Sequence, residues 1–112
     1  MNTQLESLGG VTIVTPSGRL DFGAAAPFQS ELEKVLAKTP AGLVIDCAGL
    51  EYVSSAGLRV FLLVSRGAKR SGIAVVICSL KPAVREVFDV SGFSQIIEIC
   101  ADRAAALAKM PA

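Results

Sequence analysis

Two stretches of this chain, Leu43-Val44-Ile45 and Ile73-Ala74-Val75-Val76-Ile77, are apolar at every position. A strand with one wet face alternates apolar and polar residues, so short unbroken runs of this kind fit strands covered on both faces. Segments with helical spacing lie between and around them. Phe28, Leu32, Val35 and Leu36 recur at i, i+4, i+7 and i+8 after Asp21, with Pro27 expected in the first helical turn, where proline is tolerated. That helix is expected to stop by Thr39-Pro40. A second helix is expected from Ser55 or Ala56 to about Arg70, where Arg66, Lys69 and Arg70 suit the negative end of the dipole and Gly72 terminates it. Pro82 fits the first turn of a third, in which Val84, Val87 and Phe88 share a face and which ends at Gly92. Ile96-Ile97-Glu98-Ile99 reads as a last short strand and Asp102 to Lys109 as a closing helix. At the front, Gln4–Leu8 and Val11–Thr15 flank Gly9-Gly10, a pair that supplies the positive φ of a hairpin turn; Pro16 and Gly18 follow. Strands alternating with helices require right-handed crossovers. The expected fold class is therefore α/β, a mixed, mostly parallel sheet with an N-terminal hairpin and about four packed helices, in one domain spanning 1–112.

Composition removes several function classes. Lysine plus arginine number 11 against 10 acids, a formal charge of +1, and their interspersion leaves no stripe able to neutralise many phosphates, so no nucleic acid is expected as a partner. Met1-Asn2-Thr3-Gln4-Leu5-Glu6 lacks the basic and apolar parts of a secretion signal, and no apolar run approaches the roughly 18 residues that cross a bilayer. A cytoplasmic protein with no direct membrane insertion is expected. Cys47, Cys78 and Cys100 are far apart, outside any C-x-x-C pair and inside or at the end of apolar runs, which points to buried, unlinked thiols.

Histidine is absent, which removes the Ser-His-Asp triad, the Cys-His pair and every histidine-containing metal site. The chain also lacks a G-x-x-x-x-G-K-[ST] phosphate loop, a G-x-G-x-x-G turn and a G-x-S-x-G elbow. Asp21, Asp46 and Glu51 form an acid/base pair only if the fold brings two of them together. No enzyme activity, catalytic residue, cofactor or metal ligand is expected.

The most informative segment is Asp46-Cys47-Ala48-Gly49-Leu50-Glu51-Tyr52-Val53-Ser54-Ser55-Ala56-Gly57-Leu58-Arg59-Val60-Phe61. It joins a buried strand to a helix through an irregular loop and two serines, either of which can act as N-cap. A phosphate there would meet unpaired N–H groups and the positive end of a helix dipole. Behind the serines, Leu58 and Val60 to Val64 make an apolar surface wider than one core-facing stripe, part of which either faces a partner or is buried between neighbouring elements. Gly57 costs the helix about 1 kcal/mol relative to alanine and signals a close approach, by another molecule or by the domain itself. Arg59 and Arg66, seven apart, either attract an acidic surface or form a solvated face; Asp21 either caps the first helix or binds at the mouth of the sheet.

The whole chain resembles the STAS domain family, named for sulfate transporters and anti-sigma factor antagonists, and is similar to its small stand-alone bacterial members. The resemblance rests on Gly18-Arg19-Leu20-Asp21 before the first helix, on the run from Asp46 to Leu58, and on Ser79-Leu80-Lys81-Pro82-Ala83-Val84 before the third helix. It implies that Ser55 is phosphorylated by an anti-sigma factor that is also a serine protein kinase. It further implies that the unmodified protein binds that kinase and frees a sigma factor, and that a phosphoserine phosphatase reverses the modification. Ser54 stands where many antagonists have aspartate, and Ala56 replaces a hydroxyl residue that often follows, which makes Ser54 the alternative acceptor. The expected partner-binding residues are Leu50, Glu51, Tyr52, Val53, Ser54, Ser55, Gly57, Arg59, Val60 and Phe61. The resemblance also admits a binding subunit that is never phosphorylated, docked on a lipid-transport ATPase or held in a signalling scaffold, with Ser55 only capping.

Overall fold

Gly9 and Gly10, at φ 57° and 86°, turn β1 (Asn2–Leu8) back along β2 (Val11–Leu20) in an antiparallel ladder that runs from Leu8 opposite Val11 to Asn2 opposite Ser17. The computed structural model describes residues 1–111. From β2 the chain continues through α1 (Phe22–Ala37), β3 (Gly42–Asp46), β4 (Gly49–Val53), α2 (Ser55–Arg70), β5 (Ala74–Cys78), α3 (Pro82–Val90), a 3-10 turn (Phe93–Gln95), β6 (Glu98–Cys100) and α4 (Arg103–Ala108). Among the described residues the sheet has six strands, in the order β1-β2-β3-β5-β6 with β4 also on β2, and every pairing but β1 with β2 is parallel.

Four details differ from expectation, each for a local reason. β2 does not end near Pro16: Val11–Val14 pair with β3 and Ser17–Leu20 pair with β4, so the N–H that proline lacks falls in the gap between two ladders. The register shifts between Gly18 and Arg19, and Gly18, at φ 96°, absorbs the bulge. Leu50 to Val53, expected as loop, is therefore a strand. Pro27 is the sixth residue of α1 rather than part of its first turn; the carbonyl it leaves unbonded belongs to exposed Gly23, where water can serve. Ile96 and Ile97 precede the last strand, Ile97 buried and Ile96 exposed, because the 3-10 turn intervenes.

Side-chain alternation divides the core between the two sheet faces. Val14, Leu43, Ile45 and Ile77 face α1, α2 and α3, whereas Ile13, Val44, Val76 and Cys78 pack with Ala106, Leu107 and Met110 in and after α4. Coverage on both sides is what makes β3 apolar at every position before Asp46. Phe28 of α1, Phe61 of α2 and Phe88 of α3 stack edge-on with centroids 5.8 and 5.3 Å apart, which ties the three helices into one layer. Asp46, buried at the end of β3, receives Nε of Arg103 at 2.8 Å, and the same guanidinium reaches Glu6 at 2.7 Å and Thr15 at 3.2 Å. The C-terminal helix is thus fastened to both strands of the opening hairpin.

Candidate functional site

Leu20 and Val53 are register partners at the ends of β2 and β4, so α1 and α2 begin side by side at one edge of the sheet. Each helix has a side-chain cap. Asp21 Oδ1 accepts from the Ala24 N–H at 3.0 Å, and Ser54 Oγ accepts from the Gly57 N–H at 3.1 Å. Ser54, not Ser55, is therefore the N-cap of α2, with extended backbone (φ −84°, ψ 170°). Its hydroxyl also donates to the Leu20 carbonyl oxygen at 3.0 Å, beside the bond from its own N–H to the same oxygen at 2.9 Å. The single hydroxyl proton and one of the two oxygen lone pairs are engaged.

Ser55 is the first residue of the helix and is exposed. Its own N–H and that of Ala56 point out of the helix end without a backbone partner in the preceding turn. The Ser55 side chain stands at the lip of an open groove of about 390 Å³ between α2 and α3, lined by Leu58, Ala83, Glu86, Val87, Val90 and Ser91. Val90 is 82% exposed and Val87 37%. These α3 residues were not anticipated, although their signal is legible. Val84 and Phe88 supply the core face, whereas Val87, expected beside them, is exposed and instead joins Ala83 and Val90 in a second apolar stripe at i, i+4 and i+7. Phe22, 84% exposed at the start of α1, adds an aromatic ring at the same edge of the sheet.

The expected partner-binding set divides by burial. Glu51, Tyr52, Ser55 and Arg59 are exposed and Ser54 is half-buried. Leu50, Val53, Gly57, Val60 and Phe61 are buried, which corrects their assignment to a contact surface. Leu50 and Val53 turn inward from β4, and Val60 and Phe61 fill the layer between sheet and helices. The wide apolar surface of α2 thus reflects neighbours on both flanks, with Leu62 and Leu63 half-buried at its margin. Gly57 has an internal cause as well: a Cβ there would lie 2.6 Å from Leu20 Cγ and 2.9 Å from the Leu20 carbonyl oxygen. Tyr52 lies under Arg19, whose guanidinium carbon is 4.2 Å from the ring centroid.

The remaining candidate groups are committed elsewhere. Asp46 accepts from the Ala48 N–H at 3.1 Å as well as from Arg103, Asp21 caps α1, and Glu51 is exposed on β4. Cys47, Cys78 and Cys100 are free and buried, the last two opposite one another on β5 and β6. Burial pushes the Cys47 thiol well above its ordinary value, with Cys78 and Asp46 adding to the rise, and burial raises Cys78 too. Such thiols are poor nucleophiles. Among the described residues no cluster of acidic and cysteine side chains is arranged to hold a metal ion, and no helix is long and apolar enough to cross a membrane.

Comparison with known proteins agrees with this geometry. The family model of the STAS domain matches residues 2–106. BtrV of Bordetella bronchiseptica, assigned by name to the anti-sigma factor antagonists, is 37% identical over 108 residues, covering 96% of this chain and 93% of its own. The crystal structure of an anti-sigma factor antagonist from Mycobacterium paratuberculosis superposes with a TM-score of 0.84 at 28% identity, covering 96% of this chain and 91% of that one. A serine-to-glutamate variant of RsbS from Moorella thermoacetica superposes with a TM-score of 0.83 at 25% identity, covering 97% and 94%. A mostly parallel sheet opened by a hairpin, a helix N-terminus carrying two adjacent serines, and a family match spanning nearly all of the sequence together place this chain in the STAS domain family.

Proposed function

We propose that this protein is an anti-sigma factor antagonist of the bacterial cytoplasm, a binding protein rather than an enzyme, that needs no cofactor. Its unphosphorylated form binds an anti-sigma factor with serine kinase activity and so releases a sigma factor. Phosphorylation of Ser55 ends the binding, and a phosphoserine phosphatase restores it. The observation that carries this reading is the division of labour between the serines: Ser54 Oγ is held by Gly57 and Leu20, while Ser55 is exposed on the first turn of α2. A kinase can reach Ser55 without dismantling the cap.

The partner surface in this reading is Glu51, Tyr52, Ser55 and Arg59 together with the apolar groove beyond Ser55, lined from α3 by Ala83, Val87 and Val90. A phosphate adds about −1.5 to −2 charges. At the N-terminus of α2 the helix dipole offsets part of that charge, so the domain stays folded. At a docked apolar groove the same charge loses its water, and a penalty of about 3 kcal/mol lowers affinity about 100-fold. The test is intact-mass analysis of protein isolated from its own cells under phosphatase inhibition, with the modified residue mapped, followed by titration of both forms with the cognate anti-sigma factor. Phosphate on Ser55 and a large loss of binding are expected. Phosphate on Ser54, or full binding by the phosphorylated form, would overturn the reading.

A further inference from the structure

Helix α2 contains no acidic residue, and its solvent face carries a row of cations. Arg59, Arg66 and Arg70 are exposed. They recur at i, i+7 and i+11 and lie with Ser55, one turn before Arg59, inside an arc of about 60° and over a length of about 22 Å. Among the described residues none of the three is ion-paired; the arginines that form salt bridges are Arg85 and Arg103. Half-buried Leu62 and Leu63 flank the row.

We propose that this guanidinium row receives an acidic helix of the protein partner, and that phosphate on Ser55 disables the row by capturing Arg59. The inference rests on Ser55 being the modified residue. Planar guanidinium groups on one line, spaced by whole turns, match carboxylates repeating on a facing helix and bond them in pairs. Anionic lipid is the poorer match, because the leucines beside the row are half-buried and leave little apolar surface to insert. A phosphate on Ser55 has two charged neighbours in reach: Glu86, across the groove it shares with Ser55, repels it, and Arg59, at i+4 on the same helix, attracts it. The modification thus does more than add repulsion at the interface, since it also withdraws the first arginine of the row.

The test uses the full chain with serine or with phosphoserine incorporated at position 55 during synthesis. The probe is a synthetic helical peptide whose glutamates repeat at i, i+4, i+7 and i+11. The unphosphorylated protein is expected to bind the peptide in a salt-sensitive manner. Arg66→Gln with Arg70→Gln should weaken that binding about 5-fold or more, while the thermal midpoint falls by only a few degrees from the loss of two cations at the C-terminal end of α2. Phosphoserine should weaken it further, and this additional loss should shrink in Arg59→Gln. By phosphorus NMR the second ionisation of phosphoserine 55 should fall at lower pH in the parent than in Arg59→Gln, with Arg59→Lys between them. Equal peptide affinity of the Arg66→Gln, Arg70→Gln protein would overturn the docking row, as would binding to phosphatidylglycerol vesicles without binding to the peptide. An unchanged phosphoserine titration in Arg59→Gln would overturn the capture. Because the phosphate is installed rather than transferred, failure to find a kinase for Ser55 would leave these readouts standing, and their failure would leave Ser55 as a substrate.

Discussion

Arg103 Nε donates to Asp46 Oδ2 at 2.8 Å across 57 residues of sequence, and Asp46 Oδ1 accepts the Ala48 N–H in the turn that leads into β4. One carboxylate therefore fixes the C-terminal helix and the approach to the serine pair together. Its bonds hold the guanidinium above its ordinary range, Asp46 first and Glu6 second.

Arg103→Ala leaves the Asp46 carboxylate buried without its cation. The expected loss is about 2 kcal/mol, below that of a fully buried pair because Arg103 is partly solvated. Adding Asp46→Asn should recover part of the loss. Urea denaturation of the single and double variants measures the coupling, and strict additivity would show that the pair is not a unit.

Ser54→Ala removes the cap from the Gly57 N–H and the donor from the Leu20 carbonyl. It should cost about 1 to 2 kcal/mol while Ser55 remains a kinase substrate. Ser55→Ala should change stability by less than about 0.5 kcal/mol and abolish phosphorylation. Thermal denaturation beside a kinase assay separates the two serines; a stable Ser54→Ala protein that accepts no phosphate would reverse their roles.

Gly57→Ala raises intrinsic helix propensity by about 1 kcal/mol, yet its Cβ would enter the space of Leu20 Cγ and the Leu20 carbonyl oxygen. Overpacking should win, with a net loss of about 1 to 2 kcal/mol. A rise in the thermal midpoint would mean that β2 and α2 can separate without cost.

Val87→Ser with Val90→Ser touches residues outside the core and should leave the unfolding midpoint nearly constant. If the α2–α3 groove docks the anti-sigma factor, losing two valines from a buried contact should weaken binding about 10-fold or more. Phe61→Ala makes the opposite contrast, because it empties the junction of Phe28 and Phe88 and should cost about 3 to 5 kcal/mol. Titration calorimetry on refoldable variants distinguishes surface from core.

Folding raises the Cys47 and Cys78 thiols above their ordinary value of 9.0. In the unfolded chain they ionise first, so the stability tied to keeping them neutral is complete below about pH 9 and is lost as pH rises beyond it. Denaturant midpoints should be level between about pH 7 and 8 with respect to these groups and fall on the alkaline side. Cys47→Ala should flatten that alkaline limb; an unchanged slope would assign the loss to other groups.

The helices and the doubly covered strands were legible because each declares itself within its own segment. β4 was not. Its burial runs half-buried, buried, exposed, exposed, buried from Gly49 to Val53, so no period of two survives beside the bulge in β2. The capping serine was equally hidden, since both serines precede helical residues and what decides between them is the Leu20 carbonyl, 34 positions earlier. Phe61 misled for a related reason: a helix flanked by α1 and α3 needs apolar residues around a wide arc, and a single sequence does not distinguish that from an exposed docking face.

The antiparallel return of β1 has a practical consequence for experiments on this molecule. Asn2 lies opposite Ser17, and Met1 shares a cleft with Asp21, Gly23 and Ala24 at the start of α1. At the other end of the sheet, Met110 and Pro111 sit against Gly42, the first residue of β3. A fluorophore carried at exposed Met1 would emerge beside the paired helix starts and crowd whatever docks there. The same label carried on the exposed side chain at position 111 would stand at the far pole, leaving the serines as accessible as they are in the unlabelled chain.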